Sequence, residues 1–328
     1  MSKVKVALIG AGGMANGVHY PSLASFDDVQ IVGLCDVIED KLKETAEKFK
    51  IADTFTNYQQ MLDKTKPDAV YALMPPHHLF DVAIEVLDRG HALFVEKPPA
   101  VTVEQTRALA KRATDKKVVT SVGFQRRYHP MVSKCWEMVK AKGQMHQVVS
   151  CFYKNQAPSE VHPYYRGAID ILRCDAIHAV DALRYFAGQS DVRHIASEVR
   201  TLDGWYPVSF NTLVHFANDV VGILQANWRT GRRLFKFEFH GLGASAYTDI
   251  DGEGTVWSEN QADPDLRTTN TEVAGSDAAH MHQGFCAQAR AFIDAVKSGA
   301  NLHNSMQDAV KSMELADLIY ENAMNRAK

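Results

Sequence analysis

The sequence predicts an α/β N-terminal domain on a doubly wound parallel sheet, followed by an α+β C-terminal domain with an open, mainly antiparallel sheet. Three observations predict it. From Lys3 to about Phe124, short β-branched runs alternate with helical stretches, the pattern of parallel strands joined by helical crossovers. Beyond Phe124 strand-like segments follow one another with few helices between them, as in an antiparallel sheet. The length of 328 residues suits two domains, here 1–124 and 125–328.

The first domain reads strand by strand. Val4 to Ile9, Ile31 to Cys35, Ala69 to Leu73, Leu93 to Val95 and Val118 to Gly123 are the strands. Asp40 to Phe49, Leu79 to Asp88 and Val103 to Lys116 carry apolar residues at spacings of three and four and are the helices. In the second domain a helix from Pro130 to Lys142 and a strand from Val148 to Tyr153 lead to a helix from Ile171 to Tyr185. Strands then run over Val192 to Leu202, Val208 to Phe216, Val220 to Asn227 and Leu234 to Phe239. In the last of these Phe235, Phe237 and Phe239 alternate with Lys236 and Glu238, which marks a sheet with one buried face. Residues 260–279, rich in Asp, Thr, Asn and Ser, are expected to form a long surface loop. Helices over Gln283 to Val296 and Ser305 to Asn325 close the chain around a turn at Gly299.

Composition narrows the function. Lys+Arg number 36 against Asp+Glu 39, and 46% of residues are hydrophobic, so neither nucleic acid nor an anionic membrane is an expected partner. Five scattered cysteines without a CxxC pair point away from a disulfide framework and a zinc knuckle. His280 and His282, two residues apart, lack the Cys or acidic partners of a metal site, and no metal is expected. With no leader-like or membrane-spanning run, the expected compartment is cytoplasmic.

The strand Val4 to Ile9 runs into Gly10-Ala11-Gly12-Gly13-Met14-Ala15, a GxGxxG/A turn in the strand, turn, helix order that a dinucleotide requires. Gly10 allows the tight turn, Gly12 lets backbone approach a pyrophosphate, and the N–H groups from Gly13 and Met14 onward open a helix N-terminus. Asp36 ends the next strand, where a carboxylate accepts the adenosine ribose hydroxyls and repels a 2′-phosphate. Val37 and Ile38 offer no cation for such a phosphate. NAD is therefore the expected cofactor, with NADP disfavoured.

After Leu93 to Val95 comes Glu96-Lys97-Pro98-Pro99, at the strand end where open α/β sheets gather ligands. Lys97 there is either a solvated lysine or an acid/base group for a hydroxyl being oxidised. The order of the glycine turn, Asp36, Glu96-Lys97-Pro98 and Gly123-Phe124-Gln125-Arg126-Arg127 resembles the glucose–fructose oxidoreductase, inositol dehydrogenase and MocA (Gfo/Idh/MocA) family along essentially the whole chain.

That resemblance implies a Rossmann domain, hydride transfer between NAD and a sugar, sugar acid or cyclitol hydroxyl carbon, and a homodimer or homotetramer. It implies that Lys97 contacts substrate and cofactor and that His178 shares the proton transfer. It also places Pro75 to His78, with Glu96, in the cofactor cleft, and brings Gln125 and Arg127 toward nicotinamide and substrate. Where several members carry an Asp four residues before the histidine, this chain has Cys174, with Asp175 beside it. Arg173 reads as a carboxylate or phosphate ligand or as a salt bridge, and Tyr165 with Arg166 as a sugar platform or as packing. Asp175 joins these as a candidate substrate contact. Alternative outcomes are a redox-assisted lyase or glycosidase, and a regulatory protein that binds NAD and sugar without turnover.

Overall fold

The computed structural model describes residues 3–156 and 167–326. The chain forms two compact units, 1–123 with 278–310 and 124–277 with 311–328.

The first unit holds a six-stranded parallel sheet in the order β3-β2-β1-β4-β5-β6. Its strands are β1 (Val4–Ile9), β2 (Val29–Cys35), β3 (Thr54–Phe55), β4 (Ala69–Ala72), β5 (Ala92–Val95) and β6 (Thr120–Val122). Every residue of β4 and β5 is buried, because helices cover both faces of such a sheet and leave no polar side. The helices are α1 (Tyr20–Ala24), α2 (Glu39–Phe49), α3 (Tyr58–Thr65), α4 (Pro76–Asp88) and α5 (Val103–Lys116). A π-helical turn over Ala15–His19 precedes α1. The core stacks Tyr71 on Phe94 at 4.5 Å between centroids, with Phe292 edge-on to both.

Two elements here escaped the sequence reading. Helix α3 starts where the Asn57 side chain accepts from the Gln60 N–H at 2.9 Å, an N-cap ahead of a short, weakly apolar stretch. It ends on Lys66 in the left-handed region, a place where glycine would have given the signal. Strand β3 has only two residues, too few to show a period.

The second unit holds an eight-stranded sheet in the order β14-β13-β12-β11-β7-β10-β9-β8. The strands are β7 (Met145–Asn155), β8 (Val192–Arg200), β9 (Ser209–Phe216), β10 (Val221–Asn227), β11 (Arg229–Gly241), β12 (Ala244–Asp249), β13 (Glu253–Ser258) and β14 (Leu266–Thr269). All neighbours pair antiparallel except β7 with β10. Phe235, Phe237 and Phe239 are fully buried, as their alternation predicts. Against that face lie α6 (Pro130–Lys142) and α8 (Ile177–Phe186), the Phe186 ring meeting Phe239 at 5.0 Å and Phe237 at 5.6 Å.

Within the stretch expected as a loop over 260–279, residues 266–274 form β14 and α9 (Asn270–Ala274). Thr269 and Glu272 cap α9 reciprocally, and Gly275 in the left-handed region ends it. The single helix expected from Ile171 to Tyr185 is broken into α7 (Ile171–Cys174) and α8. The break falls at Asp175, whose φ of −111° departs from the helix after Asp170 has capped α7. The chain ends with α10 (Ala279–His282), α11 (Phe285–Ser298) and α12 (Met306–Arg326). Among the described residues no helix is long and apolar enough to cross a membrane.

Candidate functional site

In the first unit every candidate group follows the carboxyl end of a parallel strand. Gly10 follows β1, Asp36 follows β2, Leu73 to Pro75 follow β4, Glu96 and Lys97 follow β5, and Gly123 follows β6. The strand order reverses at β1, flanked by β2 and β4, and in open α/β sheets ligands bind beyond the strand ends at that switch point.

Gly10 sits at φ +115°, and a Cβ there would collide with the Leu73 carbonyl oxygen; only glycine fits. Nothing lies within 4 Å of a Cβ added at Gly12 or Gly13, so that side of the loop is open. The Asn16 side chain braces the turn from within, donating to the Ala11 carbonyl at 2.9 Å and to Thr45 Oγ1 at 2.9 Å.

Asp36 fastens the loop. Its Oδ2 accepts from the Ala11 N–H at 2.7 Å and its Oδ1 from the Ile38 N–H at 2.8 Å. A carboxylate oxygen keeps a second lone pair after one such bond, so both can still accept ribose hydroxyls. Burial, and then the charge of Asp36, push the Cys35 thiol up to about 11, which keeps it unreactive. Val37 is 82% exposed and Ile38 47%, an apolar rim beside the carboxylate. The open glycine backbone and this carboxylate fit NAD.

His19, which the sequence reading passed over, ends the π-helical turn and is 2% exposed. Its Nε2 meets Glu96 Oε1 at 2.7 Å, and its ring lies 5.2 Å from Phe94 and 5.8 Å from Phe285. Glu96 Oε2 accepts the Lys97 N–H at 3.2 Å, and the carboxylate packs so closely on Gly123 that a Cβ there would lie 3.1 Å from it. Glu96, expected to touch cofactor, is thus held by protein groups of its own unit. Lys97 is half-buried, and its bond to Pro98 is cis. Met14, His77 and His78 are exposed, the two imidazoles 3.9 Å apart at the start of α4, which Pro76 opens.

The second unit sorts its candidates differently. Arg127 was expected near substrate, yet its guanidinium is fully buried and its Nε donates to Asp181 Oδ2 at 2.8 Å, with Nη2 on Oδ1. Ser312 donates to the same carboxylate at 2.7 Å, and Tyr185 lies 4.9 Å under the guanidinium. Arg173, the other expected anion ligand, is likewise committed. Its Nη1 reaches Asp170 at 2.7 Å, its Nε reaches Asp317 at 2.7 Å, and it lies 4.8 Å over the Tyr320 ring. The geometry makes both arginines structural ties, which for Arg173 is the salt-bridge alternative. Asp181, three residues after His178 on α8, serves the Arg127 pair.

Asp175 pairs with Lys154, so as a substrate contact it would have to share its carboxylate. His178 is 6% exposed, and its N–H donates to the Asp175 carbonyl at 3.4 Å across the break between α7 and α8. Gln125 is 4% exposed, and its Oε1 is a buried acceptor without a hydrogen-bond partner. Tyr165 and Arg166 lie outside the described residues.

Two family models match the chain. "Oxidoreductase family, NAD-binding Rossmann fold" covers residues 4–124, and "Oxidoreductase family, C-terminal alpha/beta domain" covers 171–328. The chain is 20% identical to scyllo-inositol 2-dehydrogenase (NAD(+)) of Bacillus subtilis over 95% of its own length and 92% of the relative's. It is 32% identical to D-glucoside 3-dehydrogenase of Escherichia coli, a match spanning 39% of this chain and 36% of that one. Among solved structures, levoglucosan dehydrogenase in complex with NADH and levoglucosan superposes with a TM-score of 0.84 at 20% identity, covering 99% of this chain and 98% of the other.

Proposed function

The chain belongs to the Gfo/Idh/MocA oxidoreductase family, and from that premise we propose that it is an NAD-dependent dehydrogenase acting on a hydroxyl carbon of a sugar, sugar acid or cyclitol. The observation that carries this reading is that Gly10, Asp36 and Lys97 all follow the carboxyl ends of strands of one parallel sheet. Dinucleotide recognition and a candidate proton acceptor are thereby built on one rigid frame. Relatives named for inositol and glucoside oxidation favour the same chemistry.

In this account the N–H groups at Gly12, Gly13 and Met14 receive the pyrophosphate, and Asp36 accepts the adenosine ribose hydroxyls. Pro75 and His78 border the cofactor beyond β4, and the unanswered Gln125 Oε1 accepts a carboxamide N–H. Bound NAD supplies the hydride acceptor. Lys97 Nζ takes the hydroxyl proton as the carbinol becomes a carbonyl, and His178 is the second group that holds or passes that proton. Glu96, held by His19, fixes the backbone on which Lys97 stands.

Net NADH formation tests the reading. The purified protein with NAD and a panel of cyclitols, aldoses and sugar acids is expected to produce NADH in proportion to oxidised product. Conversion of a sugar derivative with no net NADH would replace dehydrogenation by a redox-neutral elimination.

A further inference from the structure

Arg126 buries a guanidinium whose Nε and Nη1 no group among the described residues hydrogen-bonds. It lies in the 3-10 turn Gln125–Tyr128 and is 8% exposed. Its Nε and Nη1 are buried without a hydrogen-bond partner, and its guanidinium stands 5.5 Å from the centroid of the Phe235 ring. Its neighbour Arg127 is neutralised by Asp181. The charges that reach Arg126 are Arg233 and Asp175, and both are taken: Asp175 by Lys154, Arg233 by Asp251. Among these five groups three cations face two carboxylates, and Arg126 is the one left over.

A buried guanidinium without acceptors is unfavourable, and it does not escape by losing its proton. Burial first, then Arg233, lower its pKa to about 10, which leaves it charged at neutral pH. One unpaired positive charge calls for a monoanionic acceptor, which on a sugar is a carboxylate. Its place follows from Asp175, whose carboxylate lies within electrostatic reach of Arg126 and whose carbonyl accepts the His178 N–H.

We propose that Arg126 is an anion-binding specificity residue, and that the substrate carries one carboxylate: a sugar acid of the uronate or aldonate class. This rests on the reading of the chain as a dehydrogenase, because it names the substrate class of that same site. It also moves the recognition of an acidic sugar from Arg173, which Asp170 and Asp317 occupy, to an arginine whose Nε and Nη1 are unused.

The test measures binding to the NAD-loaded protein by calorimetry, with NADH formation alongside, for pairs that differ by one carboxylate: D-glucuronate and D-glucose, D-galacturonate and D-galactose, D-gluconate and D-glucitol. At least one acid is expected to bind tenfold or more tightly than its neutral partner, with an advantage that shrinks as salt is raised. Arg126→Met is expected to erase that advantage and Arg126→Lys to keep part of it. Equal binding within every pair, or an acid preference that survives Arg126→Met, overturns the proposal. If Arg126→Met does not fold, by circular dichroism and NAD binding, the decision passes to the other arms. An acid preference indifferent both to salt and to Arg126→Lys then overturns the proposal. The two readings fail separately. NADH from neutral sugars only removes the carboxylate subsite and leaves the dehydrogenase, whereas Arg126-dependent acid binding without NADH removes the dehydrogenase and leaves the subsite.

Discussion

His19 Nε2 and Glu96 Oε1 meet at 2.7 Å, and this contact ties the helical turn after the glycine loop to the residue that precedes Lys97. The pair sits among aromatic edges with His19 2% exposed, so the imidazole has no water as a substitute partner. His19→Ala is expected to destabilise the protein by about 2–4 kcal/mol through a cavity and an unanswered carboxylate oxygen. The urea midpoint reads that loss. His19→Asn, which keeps an N–H donor, should recover part of it, and an unchanged midpoint in His19→Ala would contradict the role.

Cofactor choice turns on Asp36. Because its carboxylate also holds the Ala11 and Ile38 N–H groups, Asp36→Ala should both loosen the loop and lose the ribose contact. NAD affinity is expected to fall roughly 10–100-fold, the worth of one or two charged hydrogen bonds. Asp36→Ala with Ile38→Arg should bind NADP better than NAD. Fluorescence titration with each dinucleotide checks the order.

How much of this was legible in the sequence depends on where the signal lies. The parallel sheet was, because β4 and β5 are buried on both faces and so read as apolar runs. The tight glycine turn was, because its geometry follows from position along one strand-turn-helix unit. The Phe235, Phe237, Phe239 face was, because alternation is local. Residue partners were not. Nothing local distinguishes Arg126, unanswered, from Arg127, bound to an aspartate 54 residues away, and Arg173 meets Asp317 across 144 residues. His19 was passed over for the same reason: its partner is 77 residues distant. The loop expected over 260–279 failed on composition, since Thr269 and Glu272 are polar residues acting as a cap.

The buried pair of Arg127 and Asp181 organises the second unit. With side-chain exposures of 0% and 1% and Ser312 on the same carboxylate, removal of one partner strands a charge. Asp181→Ala is expected to cost about 3–5 kcal/mol. The combined change Arg127→Met with Asp181→Leu should recover much of that loss, a comparison that chemical unfolding reads directly.

A surface network predicts an acid-sensitive term. Hydrogen bonds from Arg290, and then from Lys297, hold the Asp28 carboxyl well below the usual carboxylate range. A carboxyl with a lowered folded pKa stabilises fully above its unfolded value, about 4, and that contribution is lost as pH falls through the folded value. Asp28→Asn should therefore melt below the wild type at neutral pH, and the gap should narrow only below about pH 4. A gap that is constant down to pH 2 would contradict the assignment.

The proposed chemistry rests on Lys97 taking the proton of a hydride transfer to NAD. The most direct measurement is single-turnover NADH formation by wild type and Lys97→Ala on the same substrate, each first shown to bind NAD. The account predicts NAD affinity within a few fold of wild type and a rate of NADH formation lowered roughly 10²–10⁴-fold, the usual worth of a positioned acid/base group. A Lys97→Ala protein that binds NAD and forms NADH at the full rate would contradict it.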